Sequence, residues 1–487
     1  MLRNIHIKIA TIVFALACAM LSSCNVSVQD AQHLNIEATV FPDYAEVTMP
    51  CNMAAPTFAL SDSLMLESVQ AVFSSGNATC VIEGADEEGF CIDQSEWRSL
   101  IAESNTIAVR IQGKKDGKWV EYNPFNIYIS NDTIDTYLAY RLIEPGYEQW
   151  NEMGIYQRNL ETYDEEPIIT NKQTNGGCMN CHSFCQYNPS QMLFHLRADY
   201  AGTYISNGTK PSTFTHLTPS PSFVYPSWHP SGKFVAFSQN NTKQLFHTTD
   251  INRIEVFDYS SDVVVYDIES QQTLTTPLLT ASSAFETFPS WSPDGKTLYF
   301  CSADSVNMPD EYEKVHYSLC SISFDPDSHS FGETVDTLYK GGELKAGNGT
   351  AQVGSVSFPR ISPDNKYLIF TLSEYGNFSI WHKDAKLMML DMSNCSGKNV
   401  PRELSELGIR NSYHSWSSNS HWLIFSSRRD DGLYTRPYIT HIDAKGNFTK
   451  PFALPQSDAS FYDRLMKSFN IPEFIKGKVE IGNIPLE

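Results

Sequence analysis

Cys178, Cys181 and His182 stand in a C-x-x-C-H arrangement within "GGCMNCHSF", in the middle of the chain. Two thiols at this spacing can add to both vinyl groups of one porphyrin, and the adjacent imidazole then lies under the iron. The chemistry predicted is one covalently held c-type haem with His182 as proximal ligand. Three other uses compete. A thiol–disulfide exchange pair wants a βαβ setting, and the flanking sequence reads as β-structure. A zinc site built from Cys178, Cys181, His182 and Cys185 must close a tetrahedron with neighbouring ligands at 181 and 182, which strains it. The third alternative is an unused relic.

For the sixth position on the iron, His195 ranks first. It ends the apolar run "MLFHL", where similar segments elsewhere in the chain carry small residues. Met192 would raise the reduction potential as an axial ligand, although its place matches a core leucine. His247 is a further candidate. Arg197, close by in sequence, is placed to pair with a haem propionate.

The elements that must hold these residues are announced by an internal repeat. "YPSWHPSGKFVAFSQ" from 225, "FPSWSPDGKTLYFCS" from 288, "FPRISPDNKYLIFTL" from 358 and "YHSWSSNSHWLIFSS" from 413 stack on one another. Each has an aromatic entry, a bulky residue three on (Trp228, Trp291, Ile361, Trp416), a tight turn and an alternating strand. No single hairpin of this kind buries its apolar faces, so the copies must stack into a β-propeller. In "YNPSQMLFHL" Pro189 takes the place of Pro293, and Met192 with Phe194 match Leu298 with Phe300. The haem segment therefore falls at the entrance to a blade. Counting gives six blades over 133–455. Residues 36–132 read as short strands of an Ig-like β-sandwich. "SDASFYDRLMKSFNIPEF" within 456–487 reads as a helix capped by Ser457 or Asp458 and stopped before Pro472.

The first 23 residues have the order of an export signal: Arg3 and Lys8, the apolar run "IATIVFALACAML", then "LSSC" ending at Cys24. The run is too short to span a bilayer. "LSSC" resembles the lipobox of bacterial lipoproteins, which implies that Cys24 carries lipid and that 24–35 is a tether. Lipid alone then anchors the chain, with the outer membrane facing the periplasm as the expected location. Export also suits haem attachment, because bacterial c-type haem is added outside the cytoplasmic membrane. The chain of 487 residues carries a net charge of −21, which makes nucleic acid an improbable partner and a basic protein an acceptable one. Of 11 cysteines, an odd number remains once Cys18, Cys24, Cys178 and Cys181 are allotted, which argues against a full disulfide framework.

The repeats resemble those of the TolB-like propeller family over roughly residues 180–455; "FPSWSPDGKTLYFCS" is its characteristic stretch. With "CMNCHSF" and "MLFHLR", the whole chain is similar to TolB-like propeller lipoproteins of Bacteroidetes that bear a C-x-x-C-H. The resemblance implies an all-β, six-bladed TolB-like propeller after a small sandwich, and supplies no biochemical function. H-E-x-x-H, G-x-S-x-G and P-loop motifs are absent from the sequence. The functional expectation is a lipid-anchored, monohaem electron-transfer protein with a redox partner. The alternatives are a propeller scaffold that binds protein or glycan with haem as a structural part, and a haem enzyme such as a peroxidase.

Overall fold

The computed structural model describes residues 28, 30–61, 65–84, 89–145, 152–206, 208–217, 223–250, 252–342, 354–398, 400, 402–405 and 408–486. The expected leader and the lipid-bearing Cys24 lie outside the described residues. The chain divides into two compact units, one of 1–46, 55–129 and 457–460, the other of 47–54, 130–456 and 461–487.

In the first unit the strands do not split into the two facing sheets of a sandwich. Strands 32–37, 118–123, 106–115, 68–75 and 78–83 lie side by side in that order in one sheet, with 125–130 paired to 106–115. Strands 40–41 and 59–60 form a separate pair. A helix absent from the sequence reading, Gln94–Glu103, packs on the sheet and buries Trp97 and Leu100. Its N-cap is Asp93, whose carboxylate accepts a bond from the Ser95 amide at 2.8 Å. This "DQSEWRSLIAE" segment, with 3.6-residue spacing, packs against strands 68–75, 78–83 and 106–115.

The second unit is an all-β propeller. Among the described residues it has six sheets of four or five strands, with antiparallel neighbours except for the parallel outer pair 212–217 and 481–483 of the second sheet. The four repeats form the two innermost strands of the third to sixth sheets: 223–228 with 234–246, 284–291 with 297–304, 355–361 with 367–373, and 411–416 with 422–427. The second sheet begins with 179–184 and 192–196. The first sheet contains 137–143, 154–159 and 165–170, and its innermost strand is Ser468–Ile475, from the other end of the chain.

That strand corrects the expected C-terminal helix. Only Phe461–Arg464 is helical, a single turn, and 468–475 pairs antiparallel with 137–143 from Tyr137↔Ile475 to Ile143↔Ser468. "IPEF", from Ile471, is a further copy of the repeat's aromatic-Pro-x-aromatic entry. Its Ile in place of an aromatic and its missing turn hid it, while Phe461, Leu465 and Phe469 mimicked a helical stripe.

Candidate functional site: the central channel and the C-x-x-C-H strand

Every innermost strand is bulged at the same place. The register slips between Asn180 and Ser183, Val224 and Ser227, Thr287 and Ser290, Ser357 and Arg360, and Ser412 and Ser415. The residue at each bulge takes a left-handed conformation: Cys181, Tyr225, Phe288, Phe358, Tyr413 and Ile471 have φ between 49° and 53°. A side-chain-bearing residue there costs on the order of 1–2 kcal/mol. The return is packing, because the bulge gathers these residues into a ring across the channel. Neighbouring rings meet at 4.3 Å (Tyr225–Phe288), 4.2 Å (Phe288–Phe358) and 4.8 Å (Phe358–Tyr413). Proline follows at 226, 289, 359 and 472, since a bulge needs no ladder donor.

This register explains half of the motif. Cys181-His182-Ser183-Phe184 is the second sheet's version of Tyr225-Pro226-Ser227-Trp228 and of Tyr413-His414-Ser415-Trp416. Cys181 is 5% exposed and holds the ring position, and burial pushes its thiol pKa up. Cys178, half-buried, packs where the first and second sheets share a core with Tyr137, Ile143 and Tyr200. The two thiols lie near enough to act on each other electrostatically.

His182 is 2% exposed, and neither ring nitrogen makes a well-formed hydrogen bond, although the Ile471 and Ala139 backbones lie close enough to pull its pKa upward. Burial, aided by the Arg141 charge, pushes its pKa down to about 3, so the imidazole is neutral with an available lone pair. Its repeat counterpart His414 is also buried, but its Nε2 lies 2.9 Å from the Ile369 carbonyl. His182 has only the weaker contacts to the Ile471 and Ala139 backbones.

The other expected ligands separate. Residues alternate across a strand, so His182 shares a face with Phe184, which packs with Met192 and Phe194 in the core toward the first sheet. His195 shares a face with Leu193, which packs toward Trp228 and Val235 of the third sheet. The two histidines thus lie on opposite faces of the second sheet. His195 is buried, with Nδ1 3.1 Å from the Thr203 hydroxyl. Met192 is on the face of His182 but is a fully buried core residue. His247 follows the long hairpin strand 234–246 of the third sheet. Arg197 is exposed, its amide donates to the Cys178 carbonyl at 2.9 Å, and its charge reaches Cys181.

The donor set is of the kind a c-type haem uses: two thiols in each other's field and a neutral imidazole next to the second, with no well-formed hydrogen bond on either nitrogen. The available volume restricts where a porphyrin lies. The cavity against Cys181, His182 and the ring is about 30 Å³, enough for one or two waters. A porphyrin held by Cys181 and His182 therefore requires this packing to open.

Beyond the ring, the channel widens into a funnel of about 170 Å³ lined by Tyr187, Trp291, Arg360 and Glu473 among others. Glu473 accepts the Phe184 amide at 3.0 Å, and burial pushes its pKa up to about 7 against the pull of Arg360. Glu286, on the inner strand of the fourth sheet, is 2% exposed with Oε2 unpartnered; burial, with the Asp262 charge, pushes its pKa up to about 8. A carboxyl whose folded pKa lies above its unfolded one costs nothing while protonated in both states. It destabilises increasingly as pH rises from about 4.5 to 8. Glu286→Gln should therefore leave Tm unchanged near pH 4 and raise it by about 2 °C or more at pH 8. Thermal melts across this range check it; an equal shift at both pH values would remove ionisation as the cause.

No family model matches the sequence, and no curated protein matches it. Solved structures do. An oligogalacturonate lyase in complex with manganese aligns at 10% identity over 66% of this chain and 73% of its own, with a TM-score of 0.36. The β-propeller domain of the Trilobed protease from Pyrococcus furiosus aligns at 9% identity over 72% and 82%, with a TM-score of 0.35. An oligogalacturonate lyase from Vibrio parahaemolyticus aligns at 10% identity over 84% and 100%, with a TM-score of 0.33. The class of protein that the six sheets define is an all-β propeller, and at these identities the activities of the similar structures do not transfer.

Proposed function

We propose that the chain is a haem-bearing propeller of the cell envelope, with Cys178 and Cys181 as the attachment thiols and His182 as the proximal ligand. The observation that carries this reading is the His182 imidazole, buried, neutral and held only by weak backbone contacts, where its counterpart His414 makes a well-formed bond. Bound there, the group would supply one-electron chemistry or small-ligand binding at iron. The chain's own contribution is to keep the imidazole unprotonated and fixed on the sheet, and to place the exposed Arg197 beside Cys178. The acidic surface suits a basic redox partner. Because Cys181 is nearly inaccessible once the ring has closed, attachment at this thiol precedes folding of the propeller.

Electron transfer with two protein ligands was the first expectation, and the placement of His195 weighs against it. A second reading, a haem with an open sixth position that admits a small exogenous ligand, is favoured by His195 lying on the far face. Ferric and ferrous spectra of the matured protein separate the two. High-spin ferric haem that binds carbon monoxide when reduced, unchanged in His195→Ala, is the expected result. Low-spin haem that turns high-spin in His195→Ala would restore His195 as ligand and favour the electron carrier.

A further inference from the structure

A second group of donors gathers away from the channel. Asp132 lies in the segment leading into the first sheet. His421 ends the inner hairpin turn of the sixth sheet, and His441 ends strand 436–441 of that sheet. One ligand atom from each lies within 4.8 Å of the other two. His441 Nε2 is 2.8 Å from Asp132 Oδ2, and His421 Nδ1 is 3.9 Å from the same oxygen. The imidazole rings run nearly parallel, 18° apart, with centroids at 6.1 Å.

The surroundings hold this group in place. Trp422, fully buried and paired across the ladder with His441, lies against its ring, tilted by 59° with centroids 4.7 Å apart, and donates Nε1–H to the Asp132 carbonyl at 3.1 Å. The Asp132 amide donates to Ser130 Oγ, and Ser130 Oγ lies 3.3 Å from His441 Nε2. His421 Nδ1 also lies 3.2 Å from the Ile442 carbonyl, a contact that nitrogen would give up on binding an ion. Asn419 donates to the Thr133 carbonyl at 2.7 Å, and the Ser418 amide and hydroxyl donate to Asp135, tying the Asp132 segment to the sixth sheet.

We infer that Asp132, His421 and His441 form a site for one divalent transition-metal ion, zinc above all. Two imidazoles and a carboxylate that leave coordination positions open are a recurrent N/O donor set for such ions. Ligands on a tetrahedral zinc at about 2.0–2.1 Å stand about 3.3 Å apart, and the 2.8 and 3.9 Å separations bracket that value. All three residues are half-buried, so the ion has both a path in and room for water. The site is independent of the haem reading, since it shares no residue with it.

Calorimetric titration of the full chain with zinc sulfate tests the inference. The expected result is one equivalent that is lost in the His421→Ala/His441→Ala double variant, with Asp132→Asn weakened about 10-fold or more. Cobalt(II) added to the unmodified protein gives a second readout that needs no variant. Visible bands of a nitrogen- and oxygen-ligated ion, persisting in Cys178→Ala/Cys181→Ala, are expected. Zinc stoichiometry unchanged in the double variant, or cobalt bands that only thiolate explains, would overturn the site.

Discussion

Deleting residues 468–487 should abolish cooperative folding of the propeller. Strand 468–475 is the innermost strand of the first sheet, and it buries Phe469, Phe474 and Ile475 completely. Each such side chain contributes about 1.5–3 kcal/mol of transfer free energy, so three supply about 5–9 kcal/mol. That is comparable with the whole stability of a typical domain, about 5–15 kcal/mol. The loss also leaves the 137–143 strand unpaired along one edge and exposes Tyr140, whose ring packs on Phe469 at 4.8 Å. Circular dichroism melts and sedimentation check this. A truncated chain that stays soluble and melts at the full-length temperature would show that the ring closes without this strand.

Replacing both Cys178 and Cys181 by Ala should remove covalent haem entirely while the propeller still folds. Cys181 occupies one of six ring positions, and the other five still close the plug, so the cost is that of truncating one partly compensated side chain. Alanine at a φ of 53° keeps the backbone cost already present. His182→Ala should instead retain the thioether links and lose the proximal ligand. The haem would then remain through denaturing electrophoresis with an altered ferric spectrum. Haem that survives acid–acetone extraction in the double cysteine variant would contradict the assignment of the thiols.

The propeller was legible because its repeat is dictated locally. A P-D-G-K turn, an alternating strand and a bulky residue three beyond the entry recur whatever the neighbours are. The closing strand was not, since its pairing is set by residues more than 300 positions earlier, Tyr137 to Ile143, and its local pattern also satisfies a helix. Helix 94–103 was passed over because it lies among strands and carries only Trp97 and Leu100 as fully buried anchors. At the site, "CMNCHSF" carries both a chemical motif and a copy of the repeat's entry. Setting CHSF beneath YPSW and YHSW shows Cys181 at the ring position and His182 at the place of His414. Alternation counted from Phe184 and Leu193 separates His182 from His195, a step that needs the pairing between two strands and not sequence distance. Asp132, His421 and His441 gave no sequence signal, because nearly 300 residues separate the first from the others.

The account stands most directly on whether the two thiols take haem at all. A pyridine haemochrome spectrum of the full chain, matured in cells that carry the haem-attachment machinery, measures this with one sample. The account predicts about one covalent haem per chain, with the band position of a haem joined through two thioethers. Protein folded and exported under the same conditions without bound haem would contradict it, and would leave Cys181 as a ring residue and His182 as a buried imidazole with no assigned role.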